Sequence, residues 1–354
     1  MKNKSDAFYC PSCGAEMKMA PEGLYCAFCD RKELVCADNT ELEDFDLAVA
    51  EAEAHWEEAA HIVQCKSCGS ETAGLDGAPD ICAYCAGQAL ETLDEEYGIR
   101  PGYLAPFKQS RDDATARLGN WMKRRFLAPF TFKKERSLGS LNGVYLPYWS
   151  FGASSNAAYT GQAGSYYRDT EVNTASAGER TEAKSRSVRK VRWRMVSGNY
   201  DKKFSDIIFG DSSHLSPAVV RRIEPFKLNE LVKYDAKFIN GFAVERYKLG
   251  LKGNWERAKA YMGGKLRDDV TSIVKRGSDI VGAVKMCTKY SEVSYKLMLL
   301  PLWVFTYSYK NKTYSVYVNG QTGETHGDFP ISVLKIGIIA LAALAAAALL
   351  VWLL

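Results

Sequence analysis

The sequence predicts an α+β protein with two N-terminal four-cysteine zinc ribbons, a mixed α/β domain with related aromatic β-hairpins, and a C-terminal transmembrane helix. Three observations predict it. Eight of the ten cysteines form four Cys-x-x-Cys pairs before residue 90, two later aromatic segments repeat one pattern, and residues 336–354 hold no charge. At 354 residues the chain can build more than one compact core. Its net charge of +4 conceals a division: residues 1–98 carry 6 Lys+Arg against 21 Asp+Glu, and the rest carries 40 against 21. An acidic module of net −15 therefore precedes a basic one of net +19.

The first ribbon is assigned to residues 1–40. Cys10, Cys13, Cys26 and Cys29 supply two knuckles with 12 residues between them. The second ribbon is assigned to 63–98, where Cys65, Cys68, Cys82 and Cys85 are spaced by 13. Four thiolates in two knuckles are the tetrahedral donor set of a structural zinc ion, with no position left for water. Two such ions are expected. Gly14 and Gly69 each follow the second cysteine of a first knuckle, where the chain must turn tightly. Tyr25-Cys26-Ala27-Phe28-Cys29 and Ile81-Cys82-Ala83-Tyr84-Cys85 read as copies of one unit. No secretory signal opens the chain, so the expected compartment is the reducing cytoplasm and the cysteines are expected as thiolates. Cys36 is expected as a free thiol and Cys287 as a small core residue. Residues 41–62 read as an acidic helical spacer, in which His55 and His61 flank Trp56 on different faces.

The basic domain is assigned to 99–330. Residues 112–126 read as a helix stopped before Pro129. Leu146-Pro147-Tyr148-Trp149-Ser150-Phe151 and Leu300-Pro301-Leu302-Trp303-Val304-Phe305 each open an alternating aromatic strand. Each is expected to reverse at a polar turn, Ser154-Ser155-Asn156 in one and Lys310-Asn311-Lys312 in the other. The aromatics are expected chiefly to pack a core. Residues 168–184 are polar and read as a loop, and 185–195 as a strand rich in arginine. Ser216-Pro217 starts a helix with an N-cap serine. Residues 254–276 read as a longer helix weakened by Gly263-Gly264.

The uncharged run 336–354 is long enough to cross a bilayer, with Lys335 at its entry and Trp352 at interfacial depth on the far side. Residues 333–354 are therefore expected to be a tail anchor that contacts membrane lipid and leaves the soluble domains in the cytoplasm.

No phosphate-binding loop and no Gly-x-Ser-x-Gly motif is present, and neither His214 nor His326 has a neighbouring nucleophile pattern. An enzyme and a small-molecule substrate are not expected. The acidic ribbons would be repelled by phosphate, which favours protein partners for them. The alternative is a membrane-tethered nucleic-acid-binding protein that uses the basic domain.

The paired ribbons, Pro106-Phe107, Gly143-Val144-Tyr145-Leu146-Pro147-Tyr148-Trp149, Trp193 to Gly198 with Phe204-Ser205-Asp206, Gly241-Phe242-Ala243-Val244-Glu245 and the stretch 300–323 together carry a family resemblance. The chain resembles the bacterial membrane-anchored zinc-ribbon proteins of the YdjG type, whose ribbon is likened to that of transcription factor IIB. That resemblance implies membrane partnership with PspA-like or SPFH-like proteins in an envelope-stress system.

Overall fold

The structure, a computed structural model, describes residues 10, 12–13, 15, 18–20, 23–33, 56, 61–74, 81–93, 98–129, 140–177, 180–310 and 312–353. Cys36, Gly14, His55 and nearly all of the expected spacer lie outside them. Two compact units divide the chain. One comprises Met1–Asp46, Phe151–Asp206 and Trp255–Ser294; the other comprises Leu47–Ser150, Ile207–Asn254 and Tyr295–Leu354.

In chain order, β1 (Lys18–Ala20), β2 (Gly23–Tyr25) and β3 (Lys32–Glu33) form the sheet of the first ribbon. The second ribbon uses β4 (His61–Cys65), β5 (Glu71–Gly74) and β6 (Leu90–Leu93). After β7 (Tyr103–Leu104) comes α1 (Arg111–Lys123), which is set by its cap: Ser110 accepts from Asp113 N–H while Asp113 accepts in return from Ser110 N–H. Two long strands follow, β8 (Ser140–Ala177) and β9 (Arg180–Gly210). Then come α2 (Pro217–Ile223), β10 (Val232–Lys233), β11 (Ala243–Glu245) and α3 (Gly250–Lys275). The chain continues through β12 (Ile280–Tyr309), β13 (Lys312–Asn319), β14 (Thr325–Gly327) and α4 (Val333–Leu353).

In the unit that contains the second ribbon, strands run in the order β10-β7-β12-β8-β11-β5-β4-β6. β11 joins the two parts, pairing parallel to β8 at Val144 and Tyr145 and antiparallel to β5 at Thr72 and Ala73. The ribbon assigned to 63–98 thus shares its sheet with strands assigned to 99–330. β12 shows why the repeated aromatic pattern matters. Its even positions Met298, Leu300, Leu302 and Val304 pack with Leu146, Tyr148, Cys65 and Cys82. Its odd positions Trp303, Phe305, Tyr307 and Tyr309 pack with Trp121 and Met122 of α1. Both faces of this strand are covered from Leu297 to Tyr307, and core packing is what the aromatics there do.

At the N-terminus of α3, Asp211 is buried and accepts from Leu249 N–H at 3.0 Å, Gly250 N–H at 3.1 Å, Asn254 Nδ2 at 2.6 Å and Trp149 Nε1 at 3.2 Å. A carboxylate there satisfies N–H groups that the helix leaves open. In the other unit, α3 presents Trp255, Ala258, Met262, Leu266, Val270 and Val274 as one fully buried stripe. Val270 and Val274 pack on Tyr159, Ala163, Val196 and Tyr200. Gly161 is required at this contact, since a Cβ there would lie 2.7 Å from Val274 Cγ2.

Four expectations need correction. Only the second aromatic segment is a hairpin, with Tyr309 opposite Lys312. The first runs straight through Ser154-Ser155-Asn156 as part of β8. Those polar side chains find partners across the sheet instead of marking a turn. Ser155 Oγ donates to Lys202 O at 2.7 Å, Asn156 Nδ2 to Asp201 Oδ1 at 2.5 Å and Ser154 Oγ to Glu292 Oε2 at 2.8 Å. Residues 168–184, expected as a loop, belong mostly to β8 and β9, which pair with each other. Strand pairing is made by backbone N–H and C=O groups, so it can form without apolar alternation in the sequence. His61, expected in a helical spacer, opens β4. Cys287, expected as a small core residue, is only half-buried on β12.

Candidate metal centres

Both cysteine sets converge. Cys10, Cys13, Cys26 and Cys29 bring one sulfur each to a common point, as do Cys65, Cys68, Cys82 and Cys85, with all sulfurs of a group within 4.8 Å of one another. Closest approaches are 3.5 Å for Cys10–Cys29, 3.4 Å for Cys13–Cys26, and 3.6 Å for both Cys65–Cys85 and Cys68–Cys82. Four sulfurs about 2.3 Å from a tetrahedral zinc ion stand about 3.8 Å apart. The clusters therefore fit zinc with only small adjustments, and all eight cysteines predicted as ligands lie in them.

All four knuckles share one backbone device. Cys10, Cys26, Cys65 and Cys82 donate their N–H to the carbonyl five residues on, in Ala15, Arg31, Ser70 and Gly87, at 2.8–2.9 Å. The turn so formed directs further N–H groups at sulfur: Tyr84 donates to Cys82 Sγ and Gly87 to Cys85 Sγ, both at 3.4 Å. It also forces the residue after the second cysteine into left-handed backbone, with φ of +52° at Asp30, +75° at Gly69 and +57° at Ala86. Only glycine enters this region without a Cβ penalty. Ala86→Gly is expected to raise the stability of the metal-loaded protein by about 0.5–1 kcal/mol, read as a later denaturation midpoint.

The thiol electrostatics match a site built for a cation. Burial opposes charge on Cys10, but N–H groups of Ser12 and Cys13 outweigh it and draw the thiol down to about 6. At Cys65, burial likewise opposes N–H donors from Cys68 and Ser67, and the thiol is drawn down to about 7. Their neighbours move the other way. At Cys29 the Arg31 N–H pulls downward, yet the thiol is pushed up to about 12 by Cys10, burial and the other sulfurs. Burial first, then the nearby sulfurs, push Cys85 up. Four thiols crowded without a cation ionise unevenly, and a bound dication removes the repulsion that holds the last ones protonated.

The two clusters differ in their surroundings. In the second, the knuckle residue Tyr84 is 2% exposed. Its hydroxyl donates to Glu245 Oε2 at 2.5 Å, its ring packs against His214 with centroids 4.4 Å apart and planes tilted by 46°, and its carbonyl accepts from Thr306 Oγ1. Glu245 is fully buried and also accepts from Ser212 Oγ at 2.7 Å, Ser213 Oγ at 3.0 Å and His214 N–H at 2.7 Å. Asn142 Nδ2 donates to Ala83 O at 3.1 Å. In the first cluster the matching residue, Phe28, is 86% exposed, and Cys13 and Cys29 are exposed with it. Copies of one sequence unit thus turn the same side chain into a core in one case and into solvent in the other. Sequence reading missed Glu245 as the anchor of the second ribbon, because its only local signal is one carboxylate ending the short strand Ala243-Val244-Glu245.

At the C-terminus, α4 contains a 20-residue stretch, Val333–Trp352, that is long and apolar enough to cross a membrane. None of its most apolar window is buried against the protein.

Over 332 residues the chain is 23% identical to a protein of Bacillus subtilis (strain 168) named "Uncharacterized protein YdjG", covering 92% of this chain and 90% of that protein. No protein-family model matches the chain, and no solved structure matches it.

Proposed function

We propose that this protein is a non-enzymatic adaptor, anchored in the cytoplasmic membrane by α4, that holds one structural zinc ion in each ribbon and docks a cytosolic protein through the first. The exposure of Phe28 carries the reading. A large aromatic left in water on a rigid metal-closed turn is a ready anchor for a partner. Its counterpart Tyr84 shows how such a knuckle beds into a protein surface: ring against ring, with backbone carbonyls bonded around it. Four thiolates per ion leave no coordination position for a substrate, which supports a structural use of the metal. The resemblance to proteins of the YdjG type makes a PspA-like or SPFH-like protein of an envelope-stress system the partner to test first.

A second reading has its own observation. On β9 and β8, Arg189 lies over Tyr166 at 4.7 Å and Arg192 over Tyr167 at 5.1 Å, beside Trp193 at 47% exposure. Exposed rings interleaved with cations suit single-stranded nucleic acid.

One experiment separates the readings. Full-length protein in native membranes is crosslinked and purified as wild type and as Phe28→Glu, which leaves all eight cysteines in place. The adaptor reading expects a PspA-like or SPFH-like protein with the wild type, at least tenfold depleted with the variant, at equal zinc content and membrane yield. Equal recovery of that protein with both forms rejects docking through the first ribbon. Nucleic acid recovered equally with both forms moves the function to the arginine-rich strand.

A further inference from the structure

The start of α4 is bonded back to the segment that follows α1, and this positions a surface that the adaptor reading leaves unused. Immediately after α1, residues 124–129 wrap the start of α4. Ser332 N–H donates to Leu127 O at 2.9 Å. Lys335 reaches back from the first turn of α4 and donates its Nζ to Phe126 O at 2.8 Å and Ala128 O at 2.6 Å. Arg125 lies over the rings of Trp121 at 4.5 Å and Phe329 at 5.5 Å, joining α1 to the segment that leads into α4. The span therefore does not leave the protein through a slack linker. Wherever its first turn sits in a bilayer, residues 124–129 sit at that depth.

This surface has the composition of an interfacial contact. Phe126 is 67% exposed and Ile331 55% exposed, and the exposed residues Lys123 and Arg124 stand beside Phe126 in sequence. At the start of α4, Val333 and Leu334 are 82% and 75% exposed. Aromatic and aliphatic side chains next to lysine and arginine belong at the boundary where acyl chains meet phosphates. Each cation there adds attraction to an anionic leaflet.

We propose that Phe126 and Ile331, flanked by Lys123 and Arg124, form a second membrane contact that inserts at the headgroup level of the bilayer entered by α4 and prefers anionic phospholipid. The inference rests on the reading of α4 as a membrane span and adds to it. It makes the anchor a docked stem with a footprint on the leaflet, which restricts tilt of the unit against the membrane.

The test uses the full zinc-loaded chain reconstituted in phosphatidylethanolamine–phosphatidylglycerol vesicles, and in phosphatidylcholine vesicles. A photoreactive benzoyl-phenylalanine replaces Phe126 in one sample and the exposed Phe28 in another. Resistance to carbonate extraction reports insertion of α4 independently. The expected result is a lipid adduct at position 126 at least fivefold above that at 28, larger in the anionic vesicles. Adding Lys123→Glu with Arg124→Glu is expected to reduce the adduct at 126 severalfold without making the chain extractable. An inserted chain with no excess of adduct at 126 over 28 overturns this contact and leaves the anchor standing. A chain that carbonate extracts overturns both.

Discussion

Changing Cys65 and Cys68 to serine is expected to unfold the unit built around the second ribbon, whereas changing Cys10 and Cys13 leaves that unit folded. Each pair of substitutions removes half the donors of one four-cysteine cluster, and metal analysis is expected to find two zinc ions per wild-type chain and one per chain in either variant. The consequences differ because the sites differ in what depends on them. A structural four-cysteine zinc site contributes on the order of 10–16 kcal/mol to the fold that presents it, as much as the whole stability of a typical domain. Around the second cluster, Cys65, Cys82, Ala83 and Tyr84 belong to the same apolar core as Leu146, Leu300, Leu302 and Val304. Strand β5 then passes the ribbon's order to β11 and β8. Without the metal, crowded and desolvated sulfurs repel one another inside that core. Around the first cluster, among the described residues, the packed core is Cys10 and Cys26 with Ala15 alongside. Denaturant unfolding followed by tryptophan fluorescence measures this, since Trp149 and Trp303 lie in the affected unit. A cooperative transition near the wild-type midpoint in the Cys65→Ser/Cys68→Ser variant would refute the assignment.

Glu245→Ala is the second large effect, expected to cost about 3–5 kcal/mol in the same denaturation experiment. The substitution leaves the hydroxyls of Tyr84, Ser212 and Ser213 and the N–H of His214 facing an empty buried space. Burial is the largest influence on Glu245 and raises its carboxyl above the ordinary 4.5, while these donors pull it back. A raised folded-state value means the native protein holds this proton more tightly than the unfolded chain does. The stability contributed by that titration is fully present below pH 4.5 and lost as pH rises through the raised value. Glu245→Gln removes the titration and keeps an acceptor, so its loss relative to wild type should be smaller than that of alanine and should shrink as pH rises. A loss under 1 kcal/mol for alanine would mean that water replaces the carboxylate at no cost.

The cysteine spacing was enough to place both four-cysteine clusters, because a tetrahedral ion demands four soft donors within a few ångströms and short knuckles meet that demand locally. Helix α1 was legible from the stop at Pro129, though its Ser110 cap was not read, and α2 from Ser216-Pro217, since breakers and caps act between neighbours in sequence. The apolar run 336–354 declared itself by composition alone. In each case the deciding interaction lies within one turn or one span of the chain. Tertiary structure decided the rest. Ser154-Ser155-Asn156 became strand because Lys202, Asp201 and Glu292 supplied partners far along the chain. Residues 168–184 entered the paired strands β8 and β9, and backbone pairing is not encoded in side-chain pattern. Above all, Phe28 and Tyr84 occupy matching places in two copies of one motif, yet only Tyr84 found a buried carboxylate 161 residues away. Local sequence determined that two four-cysteine clusters form; long-range packing determined which was built into the core and which was left facing outward.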